Sequence, residues 1–444
     1  MVDASALPDA IELAIVGAGP HALTLVAHLL QKRQALRGRC LVFDPSGSWM
    51  RQWHHQFAAF EIPHLRSPAV HHPDPDSFAL RRFAESRPAE LFPPYDLPGT
   101  QLFHDFCQSV IQRWQLQDCV YPAQVLRVEP LRPRFRLELH SGETIVARRV
   151  VITGGGGKPQ WPAWVSQIAT PYPSDRLQHS HQIDLRKMNL RGETILIVGG
   201  GLTSGHLALG AIARGANVIL MARRCLYEKL FDADPGWLGP KYLKHFWDEP
   251  TWATRFQMIQ QARNGGSMTP AIMTQLRRAH HDGKLTFYEQ CQVTEAAWLG
   301  DGWQITCARS LSANAQAVEH YHPTIHPTIH ECIHSQCIER LEHLERLERL
   351  DQIWLATGTR LDMTQDLLLS QLLEQSSIEV VNGLPVLDEH LRWQPRELAG
   401  ELFIMGGLAA LQVGPTARNL SGARMASERI VPAITKPTLA MTFR

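Results

Sequence analysis

The chain has 444 residues, 44% hydrophobic and 20% charged, the balance of a globular protein large enough for two or three domains. A formal net charge of +1 argues against a polyanionic partner such as nucleic acid, and no run of about 18 apolar residues is present to span a membrane. Eight cysteines without C-x-x-C spacing fit free thiols in a reducing compartment better than a disulfide framework. A first strand beginning by residue 11 leaves no room for a signal peptide, so a cytoplasmic location is expected.

The first element is the short apolar run Ile11–Val16, followed by Gly17-Ala18-Gly19-Pro20-His21-Ala22 and a Leu- and Ala-rich helix over Leu23–Leu36. Gly17 permits a tight turn, Gly19 lets the backbone approach a pyrophosphate, and the small Ala22 lets helix and strand pack closely. Amides at the helix start then face the phosphates. Cys40–Asp44 reads as a second strand that ends in an acid, Asp44, where a ribose hydroxyl would sit. A tight turn without a ligand is the plainer alternative.

Next come an aromatic loop, Gly47–Trp53, and a proline- and histidine-rich stretch from Pro63 to Pro75. A helix over Thr100–Gln115 precedes strands around Ala123–Val128, Phe135–His140 and Thr144–Thr153. The last strand ends in Gly154-Gly155, where the chain would leave the domain beside a ligand, and Pro159, Trp161 and Pro162 read as a hinge linker.

A second unit repeats the plan. Glu193–Val198 is its strand, Gly199-Gly200-Gly201-Leu202-Thr203-Ser204 its turn, Ala208–Arg214 part of its helix and Val218–Ala222 its next strand. That strand ends in Arg223-Arg224, which suits a 2′-phosphate that an acid would repel, so NADPH is favoured over NADH. A solvated surface pair is the plainer reading of the two arginines.

Farther along, His322–His330 repeats a short His-Pro-Thr-Ile unit, with Cys332 and Cys337 close behind. Imidazoles and thiolates are metal ligands, yet the spacing matches no zinc finger and near-perfect short repeats mark an expanded loop, so no metal is assigned. The Leu-Glu-Arg repeat over Arg340–Leu350 reads as a helix with charged pairs on a solvated face. Ile353–Arg360 mirrors Val150–Gly154 as an apolar strand followed by Thr-Gly, here Gly358, which points to a second domain inserted into the first. A final strand, Glu401–Met405, reaches Gly406-Gly407, and Pro415–Val431 reads as a helix with Pro415 near its first turn.

With both turns, the Ala-Thr-Gly return and the glycine-rich C-terminal strand in hand, the chain resembles two-dinucleotide flavoproteins, most closely the lysine and ornithine N-hydroxylase branch of the flavin-dependent monooxygenases. The finer match lies in Leu65–Phe78, in His179-Ser180 and in Leu355–Gly358, which match the family's Leu-Lys-Asp-Leu and Asp-Pro passage, its His-Ser pair and its Leu-Ala-Thr-Gly. Arg66 stands where the family carries a lysine that touches NADP and substrate, keeping the charge on a wider, planar head. The wider monooxygenase fingerprint Phe-x-Gly-x-x-x-His is broken, with Pro173 and Asp175 in place of Phe and Gly, and His179 is read as structural rather than catalytic.

The resemblance implies an α/β fold of two Rossmann-like three-layer dinucleotide-binding domains, with the NADPH domain inserted into the FAD domain. The FAD domain is expected over 1–160 and 351–444 and the NADPH domain over 161–350, with a His-rich insertion at about 311–350. It also implies that NADPH reduces FAD, that O₂ adds to the reduced flavin as a C4a-hydroperoxide, and that a primary amine takes the distal oxygen, the cofactors carrying the chemistry. No catalytic side chain is assigned. Trp49, Gln52 and Arg66 are candidates for the flavin pocket, with core packing the alternative for Trp49, and Val125, Ser204 and Gln412 complete the candidate cofactor-binding set. Two other readings remain open: a reductase or oxidase passing electrons to another acceptor, and a non-catalytic FAD-binding protein.

Overall fold

The computed structural model describes residues 7–154, 157–263, 265–310, 341–375, 378–393 and 400–435. They form two units, one of Met1–Pro159, Lys229–Gly266 and Thr359–Arg444, the other of Gln160–Glu228 and Ser267–Gly358.

In the first unit, strand β1 (Ala10–Val16) leads through the glycine turn into helix α1 (Pro20–Lys32), then β2 (Cys40–Phe43) and, later, β3 (Thr144–Ile152). β1 lies between β2 and β3, parallel to both, so that Ile15 pairs with Val42 on one side and Val151 on the other. Leu13, Ala14 and Ile15 are fully buried, as a parallel strand covered on both faces requires. The C-terminal strand Glu401–Ile404 joins parallel to β3, and an antiparallel pair, Val125–Leu131 with Arg134–Leu139, attaches to the same strand. Helix Leu420–Thr435 packs along α1.

In the second unit, β4 (Thr194–Val198), α2 (Leu202–Ala213) and β5 (Asn217–Ala222) repeat the strand–turn–helix–strand plan, and three antiparallel strands and a return strand follow. These are Cys291–Trp298, then β6 (Trp303–Ser310), β7 (Leu341–Leu350) and the return strand β8 (Gln352–Leu355). The parallel sheet runs Leu177–His179, β8, β4, β5, Leu285–Glu289, and helix Pro270–His281 packs against α2. The architecture is thus α/β with two Rossmann-like parallel sheets, the second in a stretch that interrupts the first.

Four expectations shift. The Leu-Glu-Arg repeat is not a helix: β7 pairs antiparallel with β6, matching Leu344 to Ala308 and Leu347 to Ile305. A leucine every third residue places successive leucines on opposite faces of a strand, and Leu344 is 72% exposed while Leu347 packs on the core. A register shift beside Arg349, whose φ is +59°, then returns Leu350 to the inner face, where it is 1% exposed. Local charge pairing lost to the free edge of a neighbouring strand.

The helix expected from Pro415 starts at Leu420, because Gly414 (φ +99°) and a turn closed by Asn419 N–H on the Thr416 carbonyl reverse the chain first. The stretch Lys229–Gly266 belongs to the first unit, where Trp237, Leu243, Phe246 and Ile259 join its core. β8 completes the second unit's sheet beside β4, so the chain rejoins the first unit at Thr359, eight residues later than the boundary read at 351. The His-rich repeat, Cys332 and Cys337 lie outside the described residues, as does Gly155.

Candidate functional site

Both glycine turns leave a helix N-terminus without a side-chain cap. Gly19 caps α1 and Gly201 caps α2, and a Cβ at either position would meet nothing within 4 Å. Elsewhere in the chain, Thr269, Asp184 and Asp234 cap helices with their own oxygens. An uncapped end with open space in front keeps its amides for an anion.

In the first unit, Gly17 has φ +99°, and a Cβ there would lie 3.1 Å from Thr153 Oγ1 and 3.3 Å from the Gly154 nitrogen. The end of β3 therefore sits against the turn. Ala22 is fully buried where α1 meets the sheet. Asp44 braces the turn: Oδ2 accepts the Ala18 N–H at 3.1 Å, and Oδ1 accepts the Ser46 N–H at 2.9 Å and hydroxyl at 2.6 Å. Each carboxylate oxygen has further lone-pair capacity for a hydroxyl donor. His21, in the first turn of α1, donates from Nε2 to the Ala417 carbonyl at 3.0 Å, tying the C-terminal segment to this end of the helix. Gly406 (φ +77°) starts the short 3₁₀ turn after Glu401–Ile404, and a Cβ there would find its nearest neighbour, the Thr153 carbonyl oxygen, at 3.9 Å.

The remaining first-unit candidates separate. Trp49 is 6% exposed and its indole N–H donates to the Leu116 carbonyl at 2.8 Å, so it is a core residue whose polar edge is already used. Gln52 is exposed on helix Arg51–Ala59. Val125 is buried at the start of its strand. Gln412 is buried, its amide donating to the Leu387 carbonyl and its backbone carbonyl accepting the Trp247 indole N–H at 3.0 Å. Arg66 donates from Nε to the Leu230 carbonyl at 2.9 Å and from a terminal nitrogen to the Lys229 carbonyl at 2.6 Å, with Asp232 at 3.8 Å. The sequence reading missed Asp232 and the Arg263 that pairs with it at 2.6 Å. Neither lies in a motif, and only the placement of Lys229–Gly266 in this unit brings them to Arg66.

In the second unit, Gly199 has φ +152°, and a Cβ there would come 2.4 Å from the Ala356 carbonyl oxygen. No side chain fits between β4 and β8. Ser204 is fully buried and its hydroxyl donates to the Gly201 carbonyl at 2.6 Å, filling the place a small residue must hold. At the end of β5, Arg223 is exposed, and the Arg224 guanidinium lies 5.5 Å over the Tyr227 ring. Gly358 (φ +79°) accepts at its carbonyl from the Gln160 N–H at 3.0 Å and His179 Nε2 at 3.2 Å. Burial, aided by the neighbouring His181, lowers the His179 pKa to about 4, and its Nδ1 accepts the His181 N–H. A neutral imidazole with both nitrogens engaged is structural, as the sequence reading favoured.

With this geometry in place, the comparisons with known proteins decide the family. The L-lysine 6-monooxygenase/L-ornithine 5-monooxygenase profile matches residues 96–321, just over half the chain. The chain belongs to that family. An FAD-NAD(P)-binding profile matches residues 14–157, around the Gly17 turn. No curated protein sequence matches the chain. Among solved structures, it is similar to an ornithine N-hydroxylase of Kutzneria sp. 744, with 18% identity over 96% of this chain and 99% of that one and a TM-score of 0.72. It is likewise similar to the ornithine hydroxylase of Pseudomonas aeruginosa (18% identity, 96% and 98% covered, TM-score 0.71). A cadaverine monooxygenase of Erwinia amylovora follows (15% identity, 96% and 94% covered, TM-score 0.70). At such identities the likeness speaks for the fold alone. Family membership makes this lysine/ornithine monooxygenase relative an FAD- and NADPH-dependent oxidoreductase that acts on a small molecule. No helix among the described residues is long and apolar enough to cross a membrane.

Proposed function

We propose that this monooxygenase hydroxylates the nitrogen of a primary amine with O₂, in the cytoplasm, and that each unit holds one dinucleotide. The observation that carries the reading is the pair of uncapped turns with opposite charges at the ends of the following strands, Asp44 in one and Arg223-Arg224 in the other, in a chain of this family. FAD fits the first unit. Its diphosphate would lie on Gly17, Gly19 and the start of α1, its ribose against Asp44, and its ring near Gly154 and Gly406. NADPH fits the second unit, with Gly199, Gly201 and Ser204 under the diphosphate, Arg223 and Arg224 at the 2′-phosphate and Gly358 beside it. When bound, the flavin supplies hydride acceptance and activation of O₂. The chain's own work is to orient the two ring systems and keep water from the reacting atoms.

A disulfide reductase, one form of the alternative reading, gains no ready thiolate from Cys40 or Cys107 in the first unit. Burial pushes the Cys40 and Cys107 thiols far up, whereas exchange needs a thiolate. The deciding experiment turns over FAD-loaded enzyme with NADPH and a panel of primary amines, measuring hydroxylamine formed and peroxide released. We expect one amine to raise NADPH consumption with hydroxylamine in near-equal amount. NADPH oxidation that yields only peroxide with every amine, or that needs an added electron acceptor, would overturn the reading.

A further inference from the structure

The segment from Gly406 to Ala417 in the first unit is short of partners along its own backbone. It opens with a 3₁₀ turn, Gly406–Ala409, and one turn of helix, Ala410–Val413. The Ala410 carbonyl accepts the Gly414 N–H, but the next carbonyl, that of Leu411, would meet Pro415, which has no N–H to give. Gly414 (φ +99°) then turns the chain away from the helix. Side chains from one stretch, Lys229–Gly266, supply what the backbone lacks. Arg255 donates to the Leu411 carbonyl at 3.3 Å, the Trp247 indole N–H to the Gln412 carbonyl at 3.0 Å and Arg263 to the Pro415 carbonyl at 3.0 Å.

Arg255 is the centre of this grip. It is 8% exposed on helix Trp252–Arg263, and its guanidinium also donates to the carbonyls of Trp247 at 2.7 Å and Glu249 at 2.8 Å. Trp252 covers the guanidinium at 4.4 Å and Phe246 at 5.5 Å, so its plane is fixed and with it the directions of its donors. Filling this space alone calls for an apolar side chain. A buried guanidinium that faces three carbonyls costs desolvation, and what it adds is direction. The same group sets the Leu411 carbonyl and the backbone of Trp247, whose indole in turn sets Gln412.

Both ends of the segment meet features to which FAD is assigned. A Cβ on Gly406 would find the Thr153 carbonyl at 3.9 Å, the Thr153 hydroxyl lies against Gly17, and Ala417 is tied through His21 to the first turn of α1. A shift of the segment by about an ångström would carry through to the flavin contacts, and misplacement on that scale can cost roughly a hundredfold in rate. We propose that Arg255, with Trp247 beside it, is a positioning residue for the flavin reaction, acting through Gly406–Ala417 rather than by contact with the cofactor. The role rests on the assignment of FAD to the first unit and is independent of which substrate is hydroxylated.

The test compares FAD-loaded wild type with Arg255→Met, which keeps the apolar bulk, Arg255→Lys, which keeps the charge, and Trp247→Phe, which removes one N–H and keeps a ring beside Arg429. FAD affinity is read from flavin fluorescence, the visible spectrum of the bound flavin is recorded, and anaerobic reduction by NADPH is followed by stopped flow, with NADPH binding measured by dialysis. We expect the Kd for FAD to rise about tenfold or more in Arg255→Met and roughly three- to fivefold in Trp247→Phe. The flavin spectrum should change in both, and reduction at saturating NADPH should slow while the Kd for NADPH stays at the wild-type value. Arg255→Lys should recover part of the loss. Wild-type FAD affinity, spectrum and reduction rate in folded Arg255→Met and Trp247→Phe would overturn the role. If Arg255→Met does not fold, Trp247→Phe decides alone, because its ring is 41% exposed and only one hydrogen bond is lost: wild-type flavin behaviour there overturns the role, and altered behaviour supports it. A wild type that takes up no FAD removes the cofactor assignment and the role together, whereas a wild type that binds FAD beside variants that match it removes the role alone.

Discussion

The Gly17 and Gly199 turns share one design and tolerate different faults. Each opens a helix capped by glycine with free space in front, yet their backs differ. The space behind Gly199 is closed by backbone, the Ala356 carbonyl, whereas behind Gly17 the nearest atom is the Thr153 hydroxyl. The first turn is braced instead by a side chain, Asp44, whose carboxylate holds the Ala18 amide. One turn is shaped by packing between strands and the other by a hydrogen bond, and the two should fail differently.

The largest effect is expected at Gly199→Ala. The new Cβ would overlap the Ala356 carbonyl, the backbone just past β8, so the ends of β4 and β8 must separate. We expect a loss of about 3 kcal/mol or more in the second unit's stability and no measurable NADPH binding, read by thermal melting and by dialysis. Gly17→Ala also places a side chain at positive φ, but meets a hydroxyl at 3.1 Å, and should cost less in melting than Gly199→Ala. Equal losses would remove the distinction between the turns. Next in size is Asp44→Ala, which strands the Ala18 amide and removes the proposed ribose acceptor. A fall in FAD affinity of roughly ten- to a hundredfold is expected, with NADPH affinity of the FAD-loaded fraction unchanged.

Acid should weaken both units, since burial also holds the His179 pKa at about 4 in the second. In the first, burial lowers the pKa of His28 and of His72 to about 4, and the nearby Arg424 adds to it. The unfolded chain takes up protons on these residues from about pH 6.5 downward, while the folded chain does not until near pH 4, so stability falls as pH drops through that window. Together they make the first unit weaker by an amount on the order of a few kcal/mol at pH 4 relative to pH 7. Urea unfolding followed by flavin release at pH 7 and pH 5 measures the slope, and His72→Gln should flatten it. An unchanged slope in that variant would show that His72 does not titrate on unfolding.

The parts of this architecture legible in sequence were those whose signal is continuous along the chain. Ile11 to Asp44 carries strand, glycine turn, helix and acid within one stretch, and the fold reproduces each with ends moved by a few residues. Lys229–Gly266 was hidden because its buried Trp237, Leu243 and Phe246 show only that it has an apolar face, not which core that face joins. Arg263 was hidden for a related reason: it reaches Asp232 through tertiary placement, 31 residues away in sequence, with no motif around it. The Leu-Glu-Arg repeat misled because its three-residue period suits a helix face, while an open strand edge beside it offered backbone partners.

The smallest expected effect, and the finest test of the contrast between the turns, lies at the ends of the second strands. If Asp44 and Arg223-Arg224 mark ribose and 2′-phosphate, exchanging charge should change dinucleotide preference without disturbing either fold. Arg223 is exposed and Arg224 leans on Tyr227, so neither supports the core. Arg223→Ala should raise the KM for NADPH about tenfold and leave that for NADH nearly unchanged, since NADH lacks the phosphate. Arg224→Ala also loosens the stack on Tyr227 and should shift both dinucleotides, with NADPH still the more affected. Equal shifts for NADPH and NADH in Arg223→Ala would mean that the arginine faces solvent, and the charge difference between the two turns would then carry no information about which cofactor each one holds.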